Sequence, residues 1–390
     1  MTNQLYYNSA YLTEWQTSIR TISENEDGIF VVLEETAFYP HGGGQPCDEG
    51  TIGGINVIDV TLEDEVIWHK VESLPVESSV LCRLNWDRRF DHMQQHSGQH
   101  LLSAICLELF DAQTLSFHLG ADYATIDVEL PELLAERFAL LEREVNRHIY
   151  LNHEIACYFV TGEEAARLPL VKQPKVTGGI RIVETKGVEY NACGGTHVSS
   201  TGEIFMIKLL KSERQKGNTR IYFLCGYRAL QEFNENQRIL TALAQKFNTG
   251  KDEILDRLDK WEQEQKQLQW ELNAQREKND EFVLHELLAQ SKGGLVAHMF
   301  EDRSLKDLQN LATRLAAENG IPVLFAAGAD NKVLMAYGGE GDFACGAFFK
   351  EHLGGYNGKG GGSDKLAQAG FGTRDEALAF YEFAKARWSV

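Results

Sequence analysis

The chain has 390 residues and carries 57 acidic against 38 basic side chains, a formal net charge of −19. That balance excludes indiscriminate attraction to phosphate over the whole surface and leaves room only for a local basic face. With 43% hydrophobic and 24% charged residues, the composition is that of a globular protein large enough for two or three cores.

No run of about 18 apolar residues is present, which excludes a membrane-spanning helix. The opening Met1-Thr-Asn-Gln-Leu-Tyr-Tyr7 lacks the basic region and apolar core of a signal peptide. Seven cysteines, at 47, 82, 106, 157, 193, 225 and 345, form no C-x-x-C pair. A cytoplasmic protein with reduced thiols is expected, with one thiol available to a metal.

Residues 1–88 are expected to form a small β-barrel. Short β-forming runs such as Gly28–Leu33, Ile55–Val60, Val66–His69 and Val80–Leu84 are separated by turn residues. They enclose Thr36-Ala-Phe-Tyr-Pro-His-Gly-Gly-Gly-Gln-Pro-Cys47. Its three consecutive glycines suit positive φ or a close backbone approach rather than a strand interior.

Residues 89–226 are expected to alternate helix and strand as an α/β domain. A first helix starts at Asn85 or Asp87, both N-cap residues. Phe90, Met93, Ser97, Leu101, Ile105 and Leu109 follow one face of it, with His96 and His100 at the edge of that stripe. A hairpin is expected around Gly217-Asn218. It lies in a locally basic stretch with Lys208, Lys211, Arg214, Lys216, Arg220 and Arg228 against Glu213, a candidate phosphate-facing surface.

Residues 227–291 are expected to be helical, as a helical hairpin or a coiled coil broken at Asn248-Thr-Gly250. Ile254, Leu258, Trp261, Gln265, Leu268 and Leu272 step by four and three, a heptad seam that makes a homodimer conceivable. Residues 292–390 are expected to be a separate α/β domain. Its glycine-rich Gly354–Gly362 stretch is not a Walker loop, because Lys359 is followed by glycine. Backbone N–H groups there, with Lys359 and Lys365, are candidate phosphate contacts.

The stretch that carries chemistry is His96-Ser-Gly-Gln-His100, joined by Cys193-Gly-Gly-Thr-His197. Histidines four apart on a helix share a face. Three imidazoles and one thiolate form an N/S donor set of the kind Zn²⁺ prefers. No Glu follows His96, so the metalloprotease H-E-x-x-H arrangement is absent.

These two motifs resemble the H-x-x-x-H and C-x-x-x-H zinc site of alanyl-tRNA synthetase editing domains, and Phe38-Tyr-Pro-His-Gly-Gly-Gly-Gln45 resembles their glycine motif. Gly358-Lys-Gly-Gly-Gly and Ala367-Gln-Ala-Gly370 resemble their C-terminal tRNA-binding domain. Nothing ahead of the editing region is long enough for an aminoacylation domain. The chain therefore resembles the free-standing alanyl-tRNA editing proteins of the long AlaX type.

The resemblance implies one Zn²⁺ held by His96, His100, Cys193 and His197, and hydrolysis of Ser-tRNA(Ala) or Gly-tRNA(Ala). It implies Thr36 as the contact to the seryl hydroxyl and Gln45 as the group that positions the ester or the terminal adenosine. It also implies tRNA contacts from Lys208, Lys211, Arg214, Lys216, Arg220, Lys359 and Lys365. Two positions depart from the family: His41 and Asn191 stand where Glu is usual. Three other readings fit the same residues: editing of Ser-tRNA(Thr), a non-catalytic tRNA-binding protein with a structural zinc, and a zinc hydrolase of small esters.

Overall fold

The computed structural model describes residues 2–171, 179–291, 294–341 and 343–388. The chain divides into two compact units, residues 1–243 and 244–390. It is a mixed α+β protein, and among the described residues no helix is long and apolar enough to cross a membrane.

In the first unit six strands pair in a closed ring, in the order Glu14–Asn25, Gly28–Leu33, Val66–Val71, Ile55–Glu63, Gly50–Ile52 and Ser79–Leu84. All neighbours in the ring are antiparallel. Strict alternation along Val66–Val71 turns Ile67, His69 and Val71 inward, among Val31, Leu33, Phe38 and Val60.

A buried histidine in such a core must be satisfied. His69 Nδ1–H donates to Val31 O at 2.9 Å, so Nε2 accepts from the Thr36 hydroxyl at 2.8 Å. Thr36 Oγ1 in turn accepts the Phe38 N–H at 3.1 Å. Burial pushes His69 down to about 4, which keeps it neutral.

The helix Trp86–Phe110 leaves the ring directly, capped by Asn85, whose side chain accepts the Arg88 N–H. From His92 to Leu102 every residue is buried. The expected one-sided apolar stripe is therefore a helix enclosed all round. It packs against the helix Ala135–Tyr150 and against a four-stranded sheet ordered Ile207–Gln215, Asn218–Cys225, Ala124–Val128, Thr114–Leu119. Gly98 permits the closest approach, since a Cβ there would collide with Cys225 Sγ. Glycine costs a helix interior about 1 kcal/mol, and here that cost admits the sheet.

One buried ion pair fastens this helix to the ring. Arg89 and Asp48 are both fully buried. Arg89 Nε donates to both Asp48 oxygens at 3.0 and 3.1 Å, Nη2 bonds Asp48 and the Ala37 carbonyl, and Nη1 donates to Ala10 O at 2.8 Å. Asp48 also accepts the Tyr39 N–H at 2.6 Å. Each nitrogen of the guanidinium has an acceptor, the condition under which a buried pair is tolerated.

A third sheet, Ile155–Val160, Ile180–Thr185 and Glu189–Ala192, carries the chain towards Cys193. The basic hairpin turns at Lys216-Gly217, both at positive φ, one residue earlier than expected. Two left-handed central residues match the strand twist, and glycine takes the second at no steric cost.

In the second unit the helix Ile254–Gln290 runs 37 residues as one piece, with Trp261, Leu268 and Leu272 exposed on the expected seam. The boundary expected at 291/292 falls beside residues 292 and 293, which lie outside the described residues. A five-stranded sheet follows, ordered Val296–Phe300, Pro322–Ala327, Lys332–Tyr337, Leu366–Gly370, Lys359–Gly362. The glycines at 360–362, expected as a loop, form its edge strand. Side chains would block that packing, because a Cβ on Gly360 or Gly362 would collide with carbonyls of the neighbouring strand.

Replacing Asp48 by Ala strands a buried guanidinium. Denaturant titration should show a loss of about 3–5 kcal/mol. His69 is neutral in the fold but titrates near 6.5 when unfolded, so the unfolded chain binds the extra proton between about pH 6.5 and 4. Stability should therefore fall as pH drops through that window, and the slope should flatten in His69→Gln.

Candidate metal centre

The helix Trp86–Phe110 and the loop after the strand Glu189–Ala192 bring His96, His100, Cys193 and His197 together. Their donor atoms all lie within 4.8 Å of one another. Cys193 Sγ is 3.5 Å from His96 Nε2 and 3.4 Å from His197 Nε2. These four expected ligands are the residues that the fold assembles.

Each imidazole is oriented by a different partner. His96 Nδ1 bonds Gln45 Oε1 at 2.8 Å, and His197 Nδ1 lies 3.1 Å from Ser97 Oγ, which also accepts the Val198 N–H. His100 Nδ1 faces the buried Glu189 carboxylate at 3.2 Å. With all three Nδ1 atoms so engaged, the Nε2 atoms are the ones turned towards the centre. This is how metal-ligating histidines are normally held.

The loop Cys193–His197 is fixed through its backbone. Arg181, itself buried, donates from Nη1 to the carbonyls of Cys193 and Gly195 at 2.9 and 2.8 Å. Neither Gly194 nor Gly195 adopts positive φ in this turn. Gly195 serves instead as clearance, because a Cβ there would strike the His96 ring.

Burial opposes charge throughout the cluster. The surrounding His96, His197 and His100 nevertheless hold the Cys193 thiol well below its usual range. Burial also disfavours charge on His100, but Cys193 and Glu189 lift it to about 10. His197 is driven well below the usual range by burial and by His96. The donor set is one thiolate with converging imidazoles, which fits a soft or borderline cation.

His96, His100 and Cys193 form one wall of a cavity of about 320 Å³. Other walls include Gln99, Ser103, Thr114 and Phe117 with Glu189 and Asn191. Phe117 stacks on His96 at 5.2 Å. Gly43 and Gly44, both left-handed, carry the glycine motif onto this strand, where Leu119 N–H bonds Gly44 O.

The other expected site residues sit elsewhere or act differently. Thr36 is fully buried in the ring with its hydroxyl spent on His69 and Phe38, and it does not line the cavity. Gln45 is also buried. Its oxygen accepts from His96 and the Thr196 N–H, and its nitrogen donates to Thr196 Oγ1 at 2.8 Å. It is a support for the ligand loop and the His96 ring, with its carbonyl shared by two donors and its amide nitrogen turned to Thr196.

The basic cluster is largely neutralised by acids, three of the four distant in sequence. Lys208 pairs with Glu142, Lys211 with Glu213, Arg220 with Asp127 and Arg228 with Asp91. Arg214 donates to Pro131 O. Lys216, Lys359 and Lys365 are exposed. His41 pairs with Asp59 on the ring at 3.0 Å, and Asn191 bonds Glu189 beside His100.

Three supporting residues were not anticipated: Glu189, Arg181 and Ser97. Glu189 was readable in principle, since positions 189, 191 and 193 alternate onto one face of a strand. Arg181 carries no local signal of its partners.

Residues 180–222 match the family model for the threonyl and alanyl tRNA synthetase second additional domain. The chain is 32% identical over 97% of its length to an alanyl-tRNA editing protein, AlaX-L, of Pyrococcus horikoshii, and covers 96% of that protein. It is 37% identical to the mouse alanyl-tRNA editing protein Aarsd1 over 62% of this chain and 60% of that one. It is 30% identical to the alanine–tRNA ligase of Pyrococcus furiosus over 94% of this chain and 42% of the ligase. Near full-length similarity to AlaX-L, with the synthetase domain laid over the strands that lead to Cys193, places the chain in the alanyl-tRNA editing protein family.

Proposed function

We propose that the protein is a hydrolase that removes serine from mischarged tRNA(Ala), and glycine where it is misattached, at a zinc centre held by His96, His100, Cys193 and His197. The observation that carries the proposal is the convergence of these four donors beside a cavity that His96, His100 and Cys193 line, each imidazole facing its own polar partner. A purely structural cluster would have no need of a cavity. Full-length similarity to an alanyl-tRNA editing protein supports mischarged tRNA(Ala) as the substrate class.

Bound Zn²⁺ would supply Lewis acidity and lower the pKa of a water beside the ester. The chain supplies orientation. Gln45 and Ser97 hold the His96 and His197 rings, and Glu189 supports His100. The cavity admits the aminoacyl end and shields it from bulk water.

Discrimination requires that the serine hydroxyl be rewarded, because a small pocket alone rejects it poorly. Thr36 is too deeply engaged for that role. Ser103 suits it better: its Oγ accepts from Gln99 at 2.8 Å and from Thr114 at 2.7 Å, which leaves its own proton to donate into the cavity. The exposed Lys216, Lys359 and Lys365 are offered as contacts to the tRNA backbone, which would make binding salt-sensitive. The exposed seam on Ile254–Gln290 is compatible with a homodimer.

Single-turnover deacylation of Ser-tRNA(Ala) beside Ala-tRNA(Ala) tests the proposal. Wild type should remove serine and spare alanine, Cys193→Ala should lose the activity, and Ser103→Ala should narrow the serine-to-alanine ratio. Absence of turnover by zinc-loaded wild type would refute it. Gln45→Leu leaves the His96 ring unsupported, and competition with a chelator should show zinc held about 10- to 100-fold more weakly.

A further inference from the structure

The sheet that delivers Cys193 has a second feature on the same face. In its register Phe159 lies opposite Arg181, and the Cys193 N–H bonds Arg181 O. Cross-strand partners point to one side of a sheet, so Phe159, Arg181 and Cys193 form a row across three strands. The other face is filled: Ile180 and Ile182 bury there with Ala165, and Tyr158, Val160 and Tyr190 pack against them.

Phe159 is 55% exposed. Its ring meets Tyr7 edge-on at 5.6 Å, and the Arg181 guanidinium lies 5.2 Å from the Tyr7 ring centre. Tyr7 also touches the cavity rim, since a Cβ on Gly194 would contact its hydroxyl at 3.3 Å, and Gly194 lines the cavity. Isolated exposed aromatic side chains are ordinary. An exposed ring braced by a second ring and a cation, continuous with a reaction cavity, is a platform.

We propose that Phe159, braced by Tyr7 and Arg181, stacks the terminal adenine of the tRNA acceptor end and so sets the aminoacyl ester against the metal centre. The inference rests on the editing function proposed above. Single-stranded ends are recognised by stacking on aromatic faces, often with arginine nearby. From the strand of Cys193 to that of Phe159 is two strand spacings, about 10 Å, on the scale of one nucleoside with its base at one end and the esterified ribose at the other. Phe159 is thus a positioning residue outside the cavity proper.

The test uses the full zinc-loaded chain and uncharged tRNA(Ala) whose terminal base is 2-aminopurine, a fluorophore quenched by stacking. Wild type should quench it on binding. Phe159→Leu keeps apolar bulk without a ring and should abolish the quench, with a Kd about 5- to 100-fold higher. Phe159→Trp should restore both. Tyr150→Ala, at a ring 90% exposed on the helix Ala135–Tyr150, should change neither. Unaltered melting and zinc content of Phe159→Leu would show that its fold is intact. Quenching by Phe159→Leu equal to wild type, or no quenching by wild type, would overturn the platform. Because the tRNA is uncharged, this outcome is independent of turnover. Deacylation by wild type then judges the editing function by itself.

Discussion

The buried pair between Arg89 and Asp48 is the constraint on which the site depends. Asp48 follows the glycine motif, and Arg89 lies in the first turn of the helix that bears His96 and His100. The pair therefore sets the register between the loop that holds Gln45 and the helix that Gln45 must reach. A buried ion pair adds little net stability over an apolar substitute, but it is intolerant of misplacement. The Arg89 bonds to the carbonyls of Ala10 and Ala37 extend that intolerance to the strand connections on either side. A metal centre needs such a device, because donor atoms misplaced by an ångström no longer share an ion.

The centre is built from pieces that are individually weak. The helix offers two imidazoles one turn apart, and the loop offers a thiolate and an imidazole four residues apart. The second layer makes them one site: an amide, a hydroxyl and a carboxylate, one for each histidine. Because Glu189, Asn191 and Cys193 alternate along the end of one strand, the same sheet face carries a ligand and the support for another ligand. That face continues through Arg181, which grips the ligand loop, to the exposed ring of Phe159. The converging donors and the ring proposed to place the substrate thus share one short sheet.

Much of this was legible in the sequence. Motif spacing and donor chemistry named the four side chains that converge, and alternating runs named the ring of strands and the later sheets. What escaped was whatever depends on distant partners. Thr36 and Gln45 were recognised as special by their place in the motif, but only packing shows that one serves His69 and the other His96. The basic hairpin reads as a phosphate surface until Glu142, Asp127 and Asp91 are seen beside it. The glycines at 360–362 read as a loop because conformational freedom is their commoner use, whereas here their lack of a side chain lets backbones meet. Local pattern reports residue types and periodicity, and carries little about neutralisation or contact across a hundred residues.

The most direct test of the account is turnover of Ser-tRNA(Ala) by the chain stripped of metal and then reloaded with zinc, with circular dichroism confirming that the stripped protein stays folded. The account requires hydrolysis to vanish on stripping and to return with one equivalent of zinc. Full activity in the stripped, folded chain would contradict it, and would reduce the four converging side chains to an element of the scaffold.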